Sequence, residues 1–385
     1  MQSQRLRRIG AYLFADLDRK QAELEARGVD VINLGVGDPD LPTPPHIVQA
    51  LEEGARDPRT HRYPPYRGTA AFLRAAADWM RKRFGVGADP EREVLALIGS
   101  KEGLAHLPWA VLNPSEAALV PDPGYPVYRS STIMAEGEAV AMPLQADRGF
   151  LPEFERIPPE VLRRARLVFL NYPNNPTGAT ADLEFFARAV EFARRHKLLL
   201  AHDNSYCEIA YDGYRPPSIL EVDGAREVAI ELHSLSKAFN MTGWRVGFAV
   251  GNAEAVEALG TLKTNVDSGV FRAVQHAAVA ALTGPQEVIA PTLETYRARR
   301  DRLVSALRSV GWSPPVPKAT LYVWMPTPGG VSSVAFAAEV LERTGVVITP
   351  GIGYGACGEG YVRLSLTTPD ARLDEALDRI RKVYG

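Results

Sequence analysis

Between about residue 90 and residue 250, short apolar runs alternate with helical stretches, and no other feature of the chain restricts its fold as much. The runs are EVLALIG (93–99), AALVPD (117–122), RLVFLNY (166–172), KLLLAHD (197–203), VAIELHS (228–234) and WRVGFAVG (244–251). They are apolar on both alternations, the pattern of strands covered by helices on both faces of a sheet. DLEFFARAVEFARRH (182–196), between two of them, carries its apolar residues at helical spacing. The expectation is an α/β protein whose large domain has a mostly parallel sheet with helices on both faces. Past about residue 285 the order changes. A long charged helix (LETYRARRDRLVSALRSVG) leads into ATLYVWMP, a further helix, GVVITPG, YVRLSLT and a closing helix, which together predict a smaller α+β domain. VDVINLGVGDPD is expected to join it. The chain then divides into 1–45 (N-terminal arm and part of the small domain), 46–285 (large domain) and 286–385 (small C-terminal domain).

Length also favours two domains, since 385 residues exceed the size at which single cores stop growing. Composition argues against several classes of function. The formal net charge is −2, and basic clusters such as RLRR and RKRF are interleaved with acids, which leaves no electrostatic footprint for nucleic acid. No run approaches the ~18 apolar residues of a membrane span. The two cysteines, Cys207 and Cys357, form no disulfide framework and read as small buried or loop residues. The histidines in THRYP and LAHLP do not have the spacing of a ligand set, so no metal is expected. The stretch up to Gly28 reads as an amphipathic helix or arm and not as a signal peptide, because Asp16 and Asp18 directly follow its apolar patch. A cytoplasmic protein is the expectation.

In open α/β sheets ligands gather at the carboxyl ends of the strands, and four of those ends carry unusual polar residues here. GSKEG follows the first run and PNNPTG the third; Asp203 and Tyr206 come at the end of the fourth, and Ser234, Ser236 and Lys237 at the end of the fifth. Each alone suits a turn or a helix cap. Together they converge. A lysine leaving a buried strand is desolvated, which lowers its pKa and frees its amine to attack a carbonyl. Pyridoxal 5'-phosphate offers such a carbonyl. It needs an acid at its pyridine nitrogen, donors at its phenolic oxygen, an aromatic cover and a phosphate cradle. Asp203 is the candidate acid, Asn175 and Tyr206 the donors, and Tyr125 in PDPGYPVY the cover. Ser100, Lys101, Ser234, Ser236 and Arg245 could build the cradle.

These stretches resemble the fold-type-I pyridoxal-phosphate aminotransferases of class I/II, from NLGVGDPD (33–40) to YVRLSL (361–366). The specific signature is NPTG, then Asp203 and Tyr206, then SLSKAFNMTGWRVG. The resemblance implies an aspartate-aminotransferase-like fold, with Lys237 as Schiff-base lysine and proton carrier and the other roles as above. It adds Arg363 as the clamp of the substrate α-carboxylate, an Arg task because it is bidentate. It also adds Gly37 as lining of the substrate pocket beside Asn175, and Tyr66 as a residue reaching the phosphate of a neighbouring subunit. A homodimer with shared active sites is implied, as is ping-pong transfer of an amino group between an amino acid and a 2-oxo acid.

Within that family, GSKEGLAHLP, NYPNNPTGA, YDGYRPPSILEVDGA and NVDSGVF look most like the bacterial LL-diaminopimelate aminotransferase branch, which uses glutamate as donor on the route to lysine. Phe239 departs from it, standing where that branch usually carries tyrosine. Alanine, aspartate and N-succinyl-diaminopimelate aminotransferases stay open as alternatives. So do a C–S β-lyase, a racemase or decarboxylase, and a non-enzymatic effector sensor, although the stretch before NLGVGDPD shows no helix-turn-helix pattern. Arg272, or another residue of the 265–272 loop reaching across the dimer, is the candidate for the distal end of the substrate.

Overall fold

The computed structural model describes residues 2–9 and 15–385. Among these residues the strands, in chain order, are β1 (Ile32–Asn33), β2 (Val94–Leu97), β3 (Ala117–Asp122), β4 (Glu138–Pro143), β5 (Ala165–Asn171), β6 (Leu199–Asp203), β7 (Ala229–Ser234), β8 (Gly247–Gly251), β9 (Tyr322–Pro326), β10 (Val346–Val347), β11 (Thr349–Pro350) and β12 (Tyr361–Ser365). Seven of them form one sheet in the order β2-β8-β7-β6-β5-β3-β4. Its pairs are parallel except at β8, which runs antiparallel to both β2 and β7.

Successive residues of a strand point to opposite faces, and here both faces are buried. Val94, Ala96, Val168, Leu170 and Phe248 enter a core with the helices Ala70–Phe84 and Leu183–His196. Leu95, Leu97, Leu167, Phe169 and Ala249 enter another with the helices Ser100–Val111 and Ala253–Val266. That double burial removes the polar alternation from the sequence. β4 is the exception. It is a sheet edge and most of it is exposed or half-buried, yet its sequence, EAVAMP, is as apolar as the others, and sequence reading missed it. Two runs are also trimmed: 93–99 narrows to β2, and Trp244–Val246 precedes β8 in a turn.

A second, three-stranded sheet has the order β11-β12-β9, all antiparallel, and β1 pairs in parallel with β10. Ile32, Leu34, Val323, Leu364 and Leu377 share its core with the helices Ala290–Ser309, Ser333–Thr344 and Asp370–Tyr384. Arg299, 2% exposed, fastens the segment after β1 to this layer by paired bonds of 2.7 and 2.9 Å to Asp40. The helix Gln4–Ile9 has no buried residue, and part of the expected N-terminal arm lies outside the described residues. No helix among the described residues is long and apolar enough to cross a membrane.

Candidate active site

Parallel strands that end in register bring their exits together. Asn171 pairs with Asp203, and Asp203 with Leu232, so the ends of β5, β6 and β7 lie side by side. Lys237 follows in the short helix Leu235–Ala238, and β8 sets Gly247 opposite Ser234, which returns Arg245 to the same end. The second sheet closes the space from above with β9 and β12. The result is a cavity of about 690 Å³ lined by Gly37, Ser100, Lys101, Tyr125, Asn175, Asp203, Tyr206, Ser234, Ser236, Lys237, Arg245 and Arg363. Two candidates from the sequence lie elsewhere. Tyr66 is 51% exposed and outside the cavity. Arg272 spends its guanidinium on the carbonyls of Arg59 (3.3 Å) and Tyr63 (2.6 Å), so in this chain it holds a loop and does not face the cavity.

Lys237 Nζ donates to the Gly37 carbonyl at 2.9 Å, and burial lowers its pKa. Asp203 is buried between two donors, the Tyr128 hydroxyl at 2.7 Å on Oδ2 and the Ser205 hydroxyl at 2.6 Å on Oδ1. Burial pushes its carboxyl up, while the bonds from Ser205 and Tyr128 pull against that. A carboxylate in this position gains from a cationic partner. The Tyr125 phenol is pushed up to about 12, by burial first and then by the nearby Asp203, and stays neutral. Its ring stands edge-on to Tyr128 at 5.9 Å, and Tyr128 in turn stacks on Phe169 at 4.9 Å.

At the other end the donors suit an anion. The helix Ser100–Val111 begins after Gly99, whose φ is +76°. A Cβ there would lie 2.4 Å from Arg245 Nη2, so only glycine lets the guanidinium come this close to the helix start. Arg245 itself has a φ of +56° and donates to the Thr242 carbonyl at 2.8 Å. Ser100 bonds Ser205 at 3.0 Å, and Ser234 Oγ accepts from the Ser236 amide at 3.2 Å. Helix-terminal amides, hydroxyls, a lysine and an arginine together are the chemistry of a phosphate cradle.

Arg363 reaches in from β12. It donates to Asn175 Oδ1 at 2.9 Å and to the Gly35 carbonyl at 2.6 Å, while its buried Nε has no hydrogen-bond partner. A buried guanidinium with an unused donor suits a carboxylate. Because Asn175 Oδ1 is committed to Arg363, its Nδ2 is the group left to donate. Tyr206 shares a hydroxyl–hydroxyl bond of 3.0 Å with Tyr322. Tyr322, Tyr128 and Ser205 were not identified by sequence reading. Tyr128 stands three residues after Tyr125 in PDPGYPVY, which was the one available signal. An aromatic in a strand such as β9 reads as core.

Comparison with known proteins agrees with this architecture. The aspartate aminotransferase of Thermus thermophilus, as a single mutant, superposes with a TM-score of 0.93 at 30% identity over 100% of this chain and 99% of that one, and the fold is aspartate-aminotransferase-like. Substrate-bound BacF from Bacillus subtilis superposes with a TM-score of 0.95 at 41% identity, over 100% and 98% of the two chains. The family model for class I and II aminotransferases matches residues 29–380, and the chain belongs to that family. The LL-diaminopimelate aminotransferase of Desulforudis audaxviator is 57% identical over 100% of this chain and 98% of its own length.

Proposed function

We propose that this aminotransferase works with pyridoxal 5'-phosphate and forms LL-diaminopimelate, taking the amino group from glutamate and giving it to tetrahydrodipicolinate after the ring opens with water. One observation carries the reaction: a single cavity holds a phosphate-type cradle at one end and an arginine with an unused buried donor at the other, with Lys237 between them. The full-length likeness to LL-diaminopimelate aminotransferases supports the substrate.

When bound, the cofactor supplies a carbonyl for Lys237 and a protonated pyridine ring that draws electrons from the substrate Cα. Ser100, Lys101, Ser234, Ser236 and Arg245 hold its phosphate, and Tyr125 covers its ring. Asp203 keeps the proton on the pyridine nitrogen, and in return gains the cation its burial calls for. Asn175 Nδ2 and the Tyr206 hydroxyl donate to the phenolic oxygen. Arg363 fixes the substrate α-carboxylate next to Gly37, which turns the Cα hydrogen towards Lys237. The lysine amine, which burial makes easier to deprotonate, takes that proton and returns it to the carbon on the far side of the transferred nitrogen. Tyr66, exposed and outside the cavity of its own chain, completes the phosphate site of a second subunit in a homodimer.

The test is an absorbance spectrum of the protein supplied with pyridoxal phosphate, then given LL-diaminopimelate, glutamate, alanine and aspartate in turn, with Lys237→Ala as control. A visible band that Lys237→Ala lacks, and that is lost fastest with LL-diaminopimelate and glutamate, is the expected result. No band at all overturns the cofactor reading. Faster loss with alanine or aspartate overturns the substrate.

A further inference from the structure

Tyr322 touches three of the residues given roles above, yet the reading of the site leaves it none. It opens β9 opposite Ser365 and is 3% exposed. The Arg363 guanidinium carbon lies over its ring, 4.0 Å from the centre, while the Tyr354 ring stands 4.9 Å away. Its hydroxyl meets that of Tyr206 at 3.0 Å, with the two rings edge to face at 5.8 Å. That same hydroxyl occupies the space of a side chain at residue 37: a Cβ on Gly37 would sit 2.1 Å from it. Gly37 in turn accepts from Lys237 through its carbonyl. One ring therefore borders the carboxylate-binding arginine, the tyrosine assigned to the phenolic oxygen and the backbone that receives the lysine.

We infer that Tyr322 is a positioning residue that ties the substrate end of the site to the cofactor end. Its ring sets the plane of Arg363, and its hydroxyl orients and polarises that of Tyr206. The inference rests on the function proposed above. The two contacts are separable by substitution. A face-on aromatic ring holds a guanidinium flat by cation–π attraction and by contact, and phenylalanine retains both. A hydroxyl that donates to another hydroxyl strengthens the second as a donor, and phenylalanine loses that. The hydroxyl of Tyr206, proposed to donate to the phenolic oxygen, is left to accept from Tyr322; burial pushes the Tyr322 phenol up, but nearby charge, that of Arg363 first, brings it below its ordinary value.

The experiment compares Tyr322→Phe and Tyr322→Leu with the wild type, each loaded with pyridoxal phosphate and checked for folding by circular dichroism. Two quantities are measured. One is the affinity for glutarate, a dicarboxylate without an amino group, by calorimetry. The other is the pH midpoint of the visible band. Tyr322→Phe is expected to bind glutarate within about twofold of wild type while its midpoint rises by roughly half a pH unit, because a weaker Tyr206 donor favours the phenolate less. Tyr322→Leu is expected to bind glutarate about tenfold more weakly, since Arg363 loses its support. A leucine variant that binds glutarate as the wild type does, or a phenylalanine variant with an unmoved midpoint, overturns the inference. Should the leucine variant fail to fold, the phenylalanine midpoint decides alone. A wild type without a visible band counts against the cofactor reading, and the glutarate affinities then decide the role of Tyr322.

Discussion

Gly99 is the position where this site has least room. Its left-handed φ of +76° and the 2.4 Å gap between a Cβ and Arg245 Nη2 act together, so Gly99→Ala strains the backbone and pushes the guanidinium away. Losing one charge-assisted bond to a phosphate weakens pyridoxal-phosphate binding about tenfold or more, which an absorbance titration of the variant measures; unchanged affinity would remove Arg245 from the cradle. Lys237 allows a prediction about pH. Its pKa is lowered from 10.5 by burial, so the folded protein binds this proton less readily than the unfolded chain does. Its burial therefore costs stability at neutral pH, and the cost fades as pH rises towards 10.5. In cofactor-free protein, Lys237→Met is expected to stabilise by about 1–3 kcal/mol at pH 7, with the gain shrinking as pH rises towards 10.5 in denaturant titrations. Asp203 and Lys237 stood out in the sequence because polar residues at the ends of apolar runs need a reason. Tyr322 did not, because its contacts come from chain segments far apart and its type fits a core strand. Tyr66 resembled a site residue by motif alone, and in this chain nothing draws it to the cavity.

At the level of elements, legibility followed burial. The strands β2, β3 and β5 to β8 were visible because water reaches neither face and both alternations are apolar, whereas β4 is apolar in sequence although water reaches much of it, and was overlooked. A different kind of hidden order fixes the helix that opens with Ser100 and Lys101. Glu102, His106 and Asp267 bring ligand-type atoms within 4.8 Å of one another, and the ammonium of Lys263, itself 1% exposed, lies at 2.8 Å from Glu102 and 3.0 Å from Asp267. This ties the helix Ser100–Val111 to the helix Ala253–Val266. Removing the ammonium leaves two carboxylates facing each other, so Lys263→Met is expected to cost about 3 kcal/mol or more. The pH sign follows from Glu102. Burial pushes its carboxyl up, but His106 and Lys263 pull it further down, to below its ordinary 4.5. The stabilisation is thus full above 4.5 and is lost as pH falls through the lower, folded value. Unfolding curves of Lys263→Met and wild type should lie furthest apart at neutral pH and converge in acid; a constant gap would discount the ion pair.

For the molecule as a whole, the cavity is a seam between two sheets, with the proposed cofactor residues on the larger and Arg363 on the smaller. A second subunit is the remaining part of the proposal. Tyr63, Tyr66, Val266 and Phe271 are large apolar or aromatic side chains left 47–82% exposed and outside the cavity lining. If Tyr66 serves a neighbour, then Lys237→Ala and Tyr66→Ala subunits, each inactive alone, should restore about a quarter of wild-type activity when mixed equally and allowed to exchange, because half the dimers are mixed and each has one intact site. No recovery would confine each site to one chain. The seam also has an order in time. The residues proposed for the cofactor run from Ser100 to Arg245, whereas Arg363 lies on β12, near the end of the chain. Synthesis begins at the N-terminus and folding follows it. On the ribosome, every residue that one chain offers its own coenzyme is therefore made before the arginine that admits a substrate.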